Sequence, residues 1–403
     1  MLINKNFYYG SVMSILTLLM LGSCEKEKNY SPELYIDSTG MAGMLNSPWP
    51  CDGHDSRRSS QSPYNGPDGA HVIWTYNASP GYHVEDVISP VIDNNGNLYS
   101  MNWTCMIKLN SEGDLLWNSD IGYYLFTMPT IGSDGTVYAT GYYQMSVTGF
   151  TEGGVIAFYP SGDEIWEYET EDHYDGGVSG AATVAPDGTI YLADGSGYLY
   201  ALSPEGKVRW KFSTEGSTAS SPALMIEGTI IVINYNNTVY AINPDGSMKW
   251  KRQVTFDIGY DMALDINGTI YMGCATGLVA ITSDGADLLY FPVEGGVWNR
   301  PAVSNDHTIV FGGSDGYIYA LYSDGSEKWK YETGEAIASS PTLDARGHVY
   351  IGSRDGFLYA LTNNGELKWK YELNIGYGQP TIGADGSLFA GTGGGMIIAF
   401  KDH

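Results

Sequence analysis

The chain is poor in positive charge. Its 403 residues include 20 Lys and Arg against 46 Asp and Glu, a net charge of −26. Nucleic acid is held through clustered bases, so a nucleic-acid partner is excluded, as is a basic membrane-surface patch. There are four cysteines, too scattered for a metal knot, and the seven histidines form no His-x-His or His-Glu-x-x-His pattern. No metal site is expected. Charged residues are 16% of the chain, yet 43% is apolar, which excludes global disorder. What abounds is Gly (52), Tyr (32) and Trp (10), the composition of many short strands joined by tight turns.

One apolar run is conspicuous, Val12 to Leu21, broken only by Ser14 and Thr17. It is too short to span a membrane but fits the core of a secretory signal. It ends in Leu21-Gly22-Ser23-Cys24, which resembles the lipobox of bacterial lipoproteins. The resemblance implies cleavage before Cys24 and lipidation of its sulfur, the lipid being the sole membrane contact. Glu25 after the Cys favours the outer membrane by the same resemblance. The expected organisation is a signal peptide over 1–23, a flexible polar tether over 24–46 and a single domain over 47–403. Once Cys24 is lipidated, Cys51, Cys105 and Cys274 remain, an odd number that leaves at least one thiol unpaired. Spacing leaves open whether Cys51 and Cys105 pair.

The domain is repetitive. A Gly followed four residues later by Trp recurs as Gly113/Trp117, Gly162/Trp166, Gly206/Trp210, Gly246/Trp250, Gly325/Trp329 and Gly365/Trp369, with Gly285/Leu289 in the same slot and an earlier copy ending in Trp74. Five residues before the Gly stands Ala157, Ala201, Ala241, Ala280, Ala320 or Ala360, in runs that read as buried strands. Asn-Gly and Asp-Gly pairs between these runs supply the positive φ of tight hairpins. Four short strands per roughly 40 residues, eight times over, predict an all-β, eight-bladed β-propeller. The first segment, around His71 to Tyr76, is an outer strand without inner partners, and the last repeat stops after three strands. The leading strand therefore completes the last blade and closes the ring.

Segments such as Gly356-Phe-Leu-Tyr-Ala-Leu-Thr-Asn-Asn-Gly365-Glu-Leu-Lys-Trp369 resemble the PQQ-like (quinoprotein-type) propeller repeat, and the resemblance extends over 47–403. It includes the lead-in Trp49-Pro50-Cys51-Asp52-Gly53-His54-Asp55 and Ser62-Pro63-Tyr64-Asn65-Gly66-Pro67. It implies that Trp74, Trp117, Trp166, Trp210, Trp250, Trp329 and Trp369 dock neighbouring blades. A large aromatic at one register suits such a contact. The family contains quinoprotein dehydrogenases, which hold PQQ and calcium in the central funnel, and non-catalytic members such as the propeller lipoprotein of the outer-membrane β-barrel assembly machine. This chain lacks the vicinal Cys-Cys pair and the long insertions of the dehydrogenases, and its Ala-to-Gly spacing is one residue shorter. The resemblance thus favours the non-catalytic branch, with no cofactor, and leaves a PQQ- and calcium-dependent dehydrogenase as the enzyme alternative.

No catalytic constellation emerges from the residues. Gly312, Ser314 and Gly316 match the Gly-x-Ser-x-Gly string, but the next blade repeats the turn as Gly352 to Gly356, so it reads as a hairpin and not a nucleophile elbow. Function is expected on the face formed by the second-to-third loops and the links between blades, which vary most. These loops carry Trp103, Tyr123, Tyr142, Tyr143, His173, Tyr174, Tyr260, Asp261, Trp298, Asn299, Arg300, Tyr377 and Gln379. Asp261, Arg300 and Gln379 stand just before the innermost strands and are expected near the channel mouth, either bridging blades or orienting a ligand. Tyr, Trp, Asn and Arg at a wet rim suit an envelope protein partner; aromatic faces beside Asp, Asn and Gln suit a glycan equally, making a carbohydrate-handling surface lipoprotein the other alternative.

Overall fold

The computed structural model describes residues 47–78, 90–102, 105–120, 127–144, 151–170, 177–178, 180–218, 220–373 and 378–402. Among these the secondary structure is all β, 32 strands without a helix. They form eight four-stranded antiparallel sheets, the blades of an eight-bladed β-propeller. Seven blades follow chain order from inner to outer strand, over 91–120, 130–169, 183–213, 223–253, 258–292, 302–332 and 342–372. Blade 8 takes three strands from 381–400 and its outer strand from Val72–Asn77, with Thr75 opposite Ile398. The leading strand does close the ring.

Each strand reads from its residues. Second and third strands such as Ile190–Ala193 and Tyr198–Leu202 are apolar runs packed on both faces by neighbouring blades, so nearly every position is buried. Outer strands alternate, as in Glu327–Glu332, because one face meets solvent. The core lies between blades: Ile231, Val239 and Ala241 of blade 4 pack with Met262, Ile270 and Val279 of blade 5.

The repeated Ala lies directly opposite the repeated Trp, as in Ala201↔Trp210, Ala241↔Trp250 and Ala360↔Trp369, and a register shift follows the Ala each time. A small residue there leaves room for the indole, and the bulge re-aims the outer strand. The indole then reaches the next blade. Its N–H donates to Ser111 O from Trp74, Pro160 O from Trp117, Pro204 O from Trp166, Pro244 O from Trp210, Ser283 O from Trp250 and Asn363 O from Trp329, at 2.8–3.0 Å. Trp369 reaches Pro67 O at 3.3 Å, the turn ahead of the closing strand. These indoles are half-buried. At Gly365, φ is +82° and an added Cβ would lie 2.7 Å from the Trp329 ring, so both the turn and the contact require glycine.

The long 140–154 insertion becomes extra length in one hairpin. Strands Val137–Gln144 and Thr151–Phe158 pair residue for residue from Val137↔Phe158 to Gln144↔Thr151.

Candidate functional site

The lead-in does more than precede the first blade. An innermost strand is an edge, and its free N–H groups need partners. Residues 49–60 supply them in order around the ring. Trp49 O accepts from Ile92 N of blade 1 (2.7 Å) and Pro50 O from Ile131 N of blade 2 (2.8 Å). Ser56 O accepts from Leu224 N of blade 4 (2.8 Å), Arg57 O from Leu264 N of blade 5 (3.0 Å), Ser59 O from Val303 N of blade 6 (2.8 Å) and Ser60 O from Leu343 N of blade 7 (2.9 Å). One segment thus links six blades at the axis. To turn so tightly it places Gly53, His54, Arg58 and Ser60 at φ of +58° to +77°.

Charged side chains hold this plug. Asp52 accepts from Arg58 Nη2 and, bidentately, from Arg300 Nη1 (3.0 Å) and Nη2 (2.6 Å). Arg300 Nη2 also donates to Gln379 Oε1 (2.7 Å), which receives Gly53 N as well (3.3 Å), while Gln379 Nε2 donates to Pro341 O (2.9 Å). Arg57 pairs with Asp55 at 2.9 Å. Burial pushes the Asp52 carboxyl up, but Arg300 and Arg58 outweigh it and hold the group well below the usual carboxylate range. Asp55 is held low in the same way, burial being overcome by Arg57, His54 and Ser59. Burial pushes the Cys51 thiol far up. Cys51, Cys105 and Cys274 are all free thiols, so the Cys51–Cys105 pairing that spacing left open is not formed.

The thirteen expected binding residues fall into different settings. Trp103, Tyr123, His173, Tyr174 and Tyr377, like Cys24, lie outside the described residues. Tyr142 and Tyr143 extend the blade 2 hairpin and Tyr260 lies in the inner strand of blade 5; their backbone alone is described. Asn299, Arg300 and Gln379 are buried and engaged within the protein. Asn299 Nδ2 donates to Gly312 O (3.0 Å) and Ile337 O (3.2 Å), tying blade 6 to the next link. Ser220 and Ser339 do related work at the same register, binding Ile233 and Gly352 backbone. Asp261 and Trp298 are open. Asp261 stands 3.9 Å from Arg300 with about half its side chain exposed. Trp298 is 58% exposed, its N–H donating to Gly295 O (3.0 Å). Sequence reasoning missed two features. The Asp52/Arg58 pair was signalled by Arg57 and Arg58 standing together in a base-poor chain. Phe256 stacks on exposed Tyr290 on the link face, centroids 4.6 Å apart, with Tyr290 Oη donating to Thr276 O (3.0 Å).

This geometry bears on what known proteins the chain matches. A protein-family profile described as "Outer membrane protein assembly factor BamB" matches residues 151–289 and 275–402, more than half of the chain. The chain belongs to that family. Solved structures similar to it include BamB from Moraxella catarrhalis (TM-score 0.64, 14% identity, 83% of this chain and 98% of that one). A europium-containing methanol dehydrogenase is also similar (0.66, 12%, 85% and 89%). So is the quinohemoprotein alcohol dehydrogenase from Comamonas testosteroni (0.71, 15%, 87% and 80%). At these identities the likeness is one of fold, shared by BamB and the dehydrogenases alike. A search of curated protein sequences finds no match.

The enzyme branch of the fold implies a quinone with a divalent cation at the axis, and the residues present can be tested against it. Calcium takes about six to eight oxygen ligands from carboxylates, carbonyls and waters, and the carboxylates among them must be free to neutralise its charge. Here Asp52 is shared by two arginines, Asp55 is matched by Arg57, and Asp261 faces Arg300. No group of three His, Cys, Asp or Glu among the described residues is placed to hold a metal. The described axis does not fit calcium, and no catalytic step is derived through it.

Proposed function

We propose that this BamB-type propeller is a lipid-anchored, non-catalytic binding module of the bacterial envelope, engaging a protein through its link face. The observation that carries the reading is the inequality of the two faces. The short-turn face is crossed by the lead-in, with Ala345 N donating to Tyr64 O (3.0 Å) and Asn305 N to Gln61 Oε1 (2.6 Å). The link face presents exposed Trp298, the Phe256–Tyr290 stack and half-open Asp261. Exposed aromatics rimmed by polar groups on a rigid scaffold are the usual anchors of a protein interface. Cys24 carries the lipid, and the outer membrane is its place.

Photo-crosslinking from position 298 in native membranes tests the face. A discrete adduct that disappears in Tyr290→Ala supports the proposal; no adduct, or the same adduct from a position on the short-turn face, removes it. Labelling with a fatty-acid analogue tests the anchor: incorporation should vanish in Cys24→Ala. Reconstitution with PQQ and calcium should give neither quinone absorbance nor alcohol or sugar oxidation, and either signal would replace this reading with the dehydrogenase one.

A further inference from the structure

On the opposite, short-turn face a second feature stands apart from the link-face aromatics. Between blades 6 and 7 the inner turns spread around a groove of about 220 Å³. That is below the roughly 300 Å³ at which ordinary small-molecule sites begin, and leaves room for about one ring. Val310, Leu343 and Trp329 give it apolar lining. The indole is fixed, donating to Asn363 O (2.9 Å) and packed against Gly365.

The polar rim argues against an ionic ligand. Lys328 Nζ donates to Thr308 Oγ1 (2.9 Å) and lies 3.7 Å from Asp306. Arg346 is spent on Asp344 (2.8 Å) and Asp68 (2.9 Å). Every rim charge thus has an opposite neighbour. Left over are neutral amides: among the described residues, the side chains of Asn305 and Asn363 and the Nε2 of Gln61 make no hydrogen bond. Amides both donate and accept, as ring hydroxyls do. A flat apolar surface with free amides at its edge matches a molecule that is C–H on its faces and O–H around its rim.

We propose that this groove binds a single neutral pyranose, free or at the end of a glycan. The site is independent of the protein-binding face, so either can fail alone.

The test titrates the mature chain, residues 24–403, with glucose, galactose, mannose and N-acetylglucosamine, read by saturation-transfer NMR. At least one sugar should saturate, and Asn305→Ala with Asn363→Ala should weaken it fivefold or more, while Trp298→Ala leaves it unchanged. Both asparagines are exposed; each single variant is measured as well, so a misfolded double variant does not end the test. A trisaccharide ending in the same sugar and binding more tightly than its methyl glycoside would identify a glycan end as the natural source; equal binding would identify the free sugar. If no pyranose saturates, if the amide variants bind as well as the parent, or if inorganic phosphate displaces the sugar, the proposal is overturned.

Discussion

The junction between blades 6 and 7 and the one between blades 5 and 6 use the same turn and different glue. At the first, the Trp329 ring lies where a Cβ on Gly365 would fall 2.7 Å away, and its N–H is bonded to the turn. At the second, Leu289 replaces the indole, and its nearest atom to a Cβ on Gly325 would be 3.6 Å away. Both glycines keep φ near +83°, at +82° and +84°. Glycine is therefore retained for the turn wherever it occurs, and for the contact only where an indole covers it. A hydrophobic side chain alone suffices to dock two blades; the indole adds a directed hydrogen bond.

Substitutions separate these two demands. Gly365→Ala should cost about 3 kcal/mol, combining a left-handed alanine with a steric overlap that the fixed indole resists. Gly325→Ala should cost only about 1 kcal/mol, the backbone part. Denaturant midpoints of the two variants measure the gap, and equal losses would break the comparison. Trp329→Ala should cost about 2 kcal/mol, less than a fully buried Trp because the ring is half-exposed. A loss near zero would deny the indole a docking role. Leu289→Trp should gain about 0.5 kcal/mol, one net hydrogen bond with the turn carbonyl; destabilisation would show that blades 5 and 6 are spaced for the smaller side chain.

The junction that closes the ring between blades 7 and 8 keeps its indole, Trp369, and adds an ionic cluster. Asp68 accepts from Arg346 and Lys368 while its N–H reaches Asp402 (2.8 Å), and His348 lies beside Asp344 and Lys368. The hydrogen bond from Lys368 holds the Asp68 carboxyl below its ordinary value, and burial holds the His348 imidazole below its own. Both groups take up protons more readily in the unfolded chain, so their stabilisation is complete above about pH 6.5 for His and about pH 4 for Asp. It is lost as the pH falls through those values toward the lower folded ones. The effect is small because Asp68 is mostly exposed. The protection of the Asp68 and Gly69 amides from hydrogen exchange, relative to the intrinsic rate at each pH, should fall on acidification before that of blade 6; simultaneous opening would remove the distinction.

The repeat was legible because each Gly, Ala and Trp answers a local demand, so eight noisy copies of one pattern reinforce each other. Strand order and ring closure followed from counting. The plug was not legible in the same way. Residues 49–60 occur once, have no period, and bind blades as much as 283 residues away in sequence, as Leu343 does to Ser60. Arg300 and Gln379 were placed by their register at the inner strands; that Asp52 and Gly53 would meet them could not be read, because the partner belongs to no repeat. Asn299 illustrates a subtler limit. Its position looked like a rim, yet the amide does the work of a serine in other blades.

Synthesis order and assembly order run opposite ways in this chain. The segment over 49–77 precedes every blade in the chain, yet its partners extend to blades 6, 7 and 8, which emerge last. Until those blades exist, the carbonyls of Ser59 and Ser60 and the strand edge at Val72–Asn77 stay open, and no partial product owns a closed ring. Loss of the final strand at Met396–Phe400, one of 32, should therefore not subtract a small share of the stability but abolish the closed form altogether, because the closing strand Val72–Asn77 pairs with it.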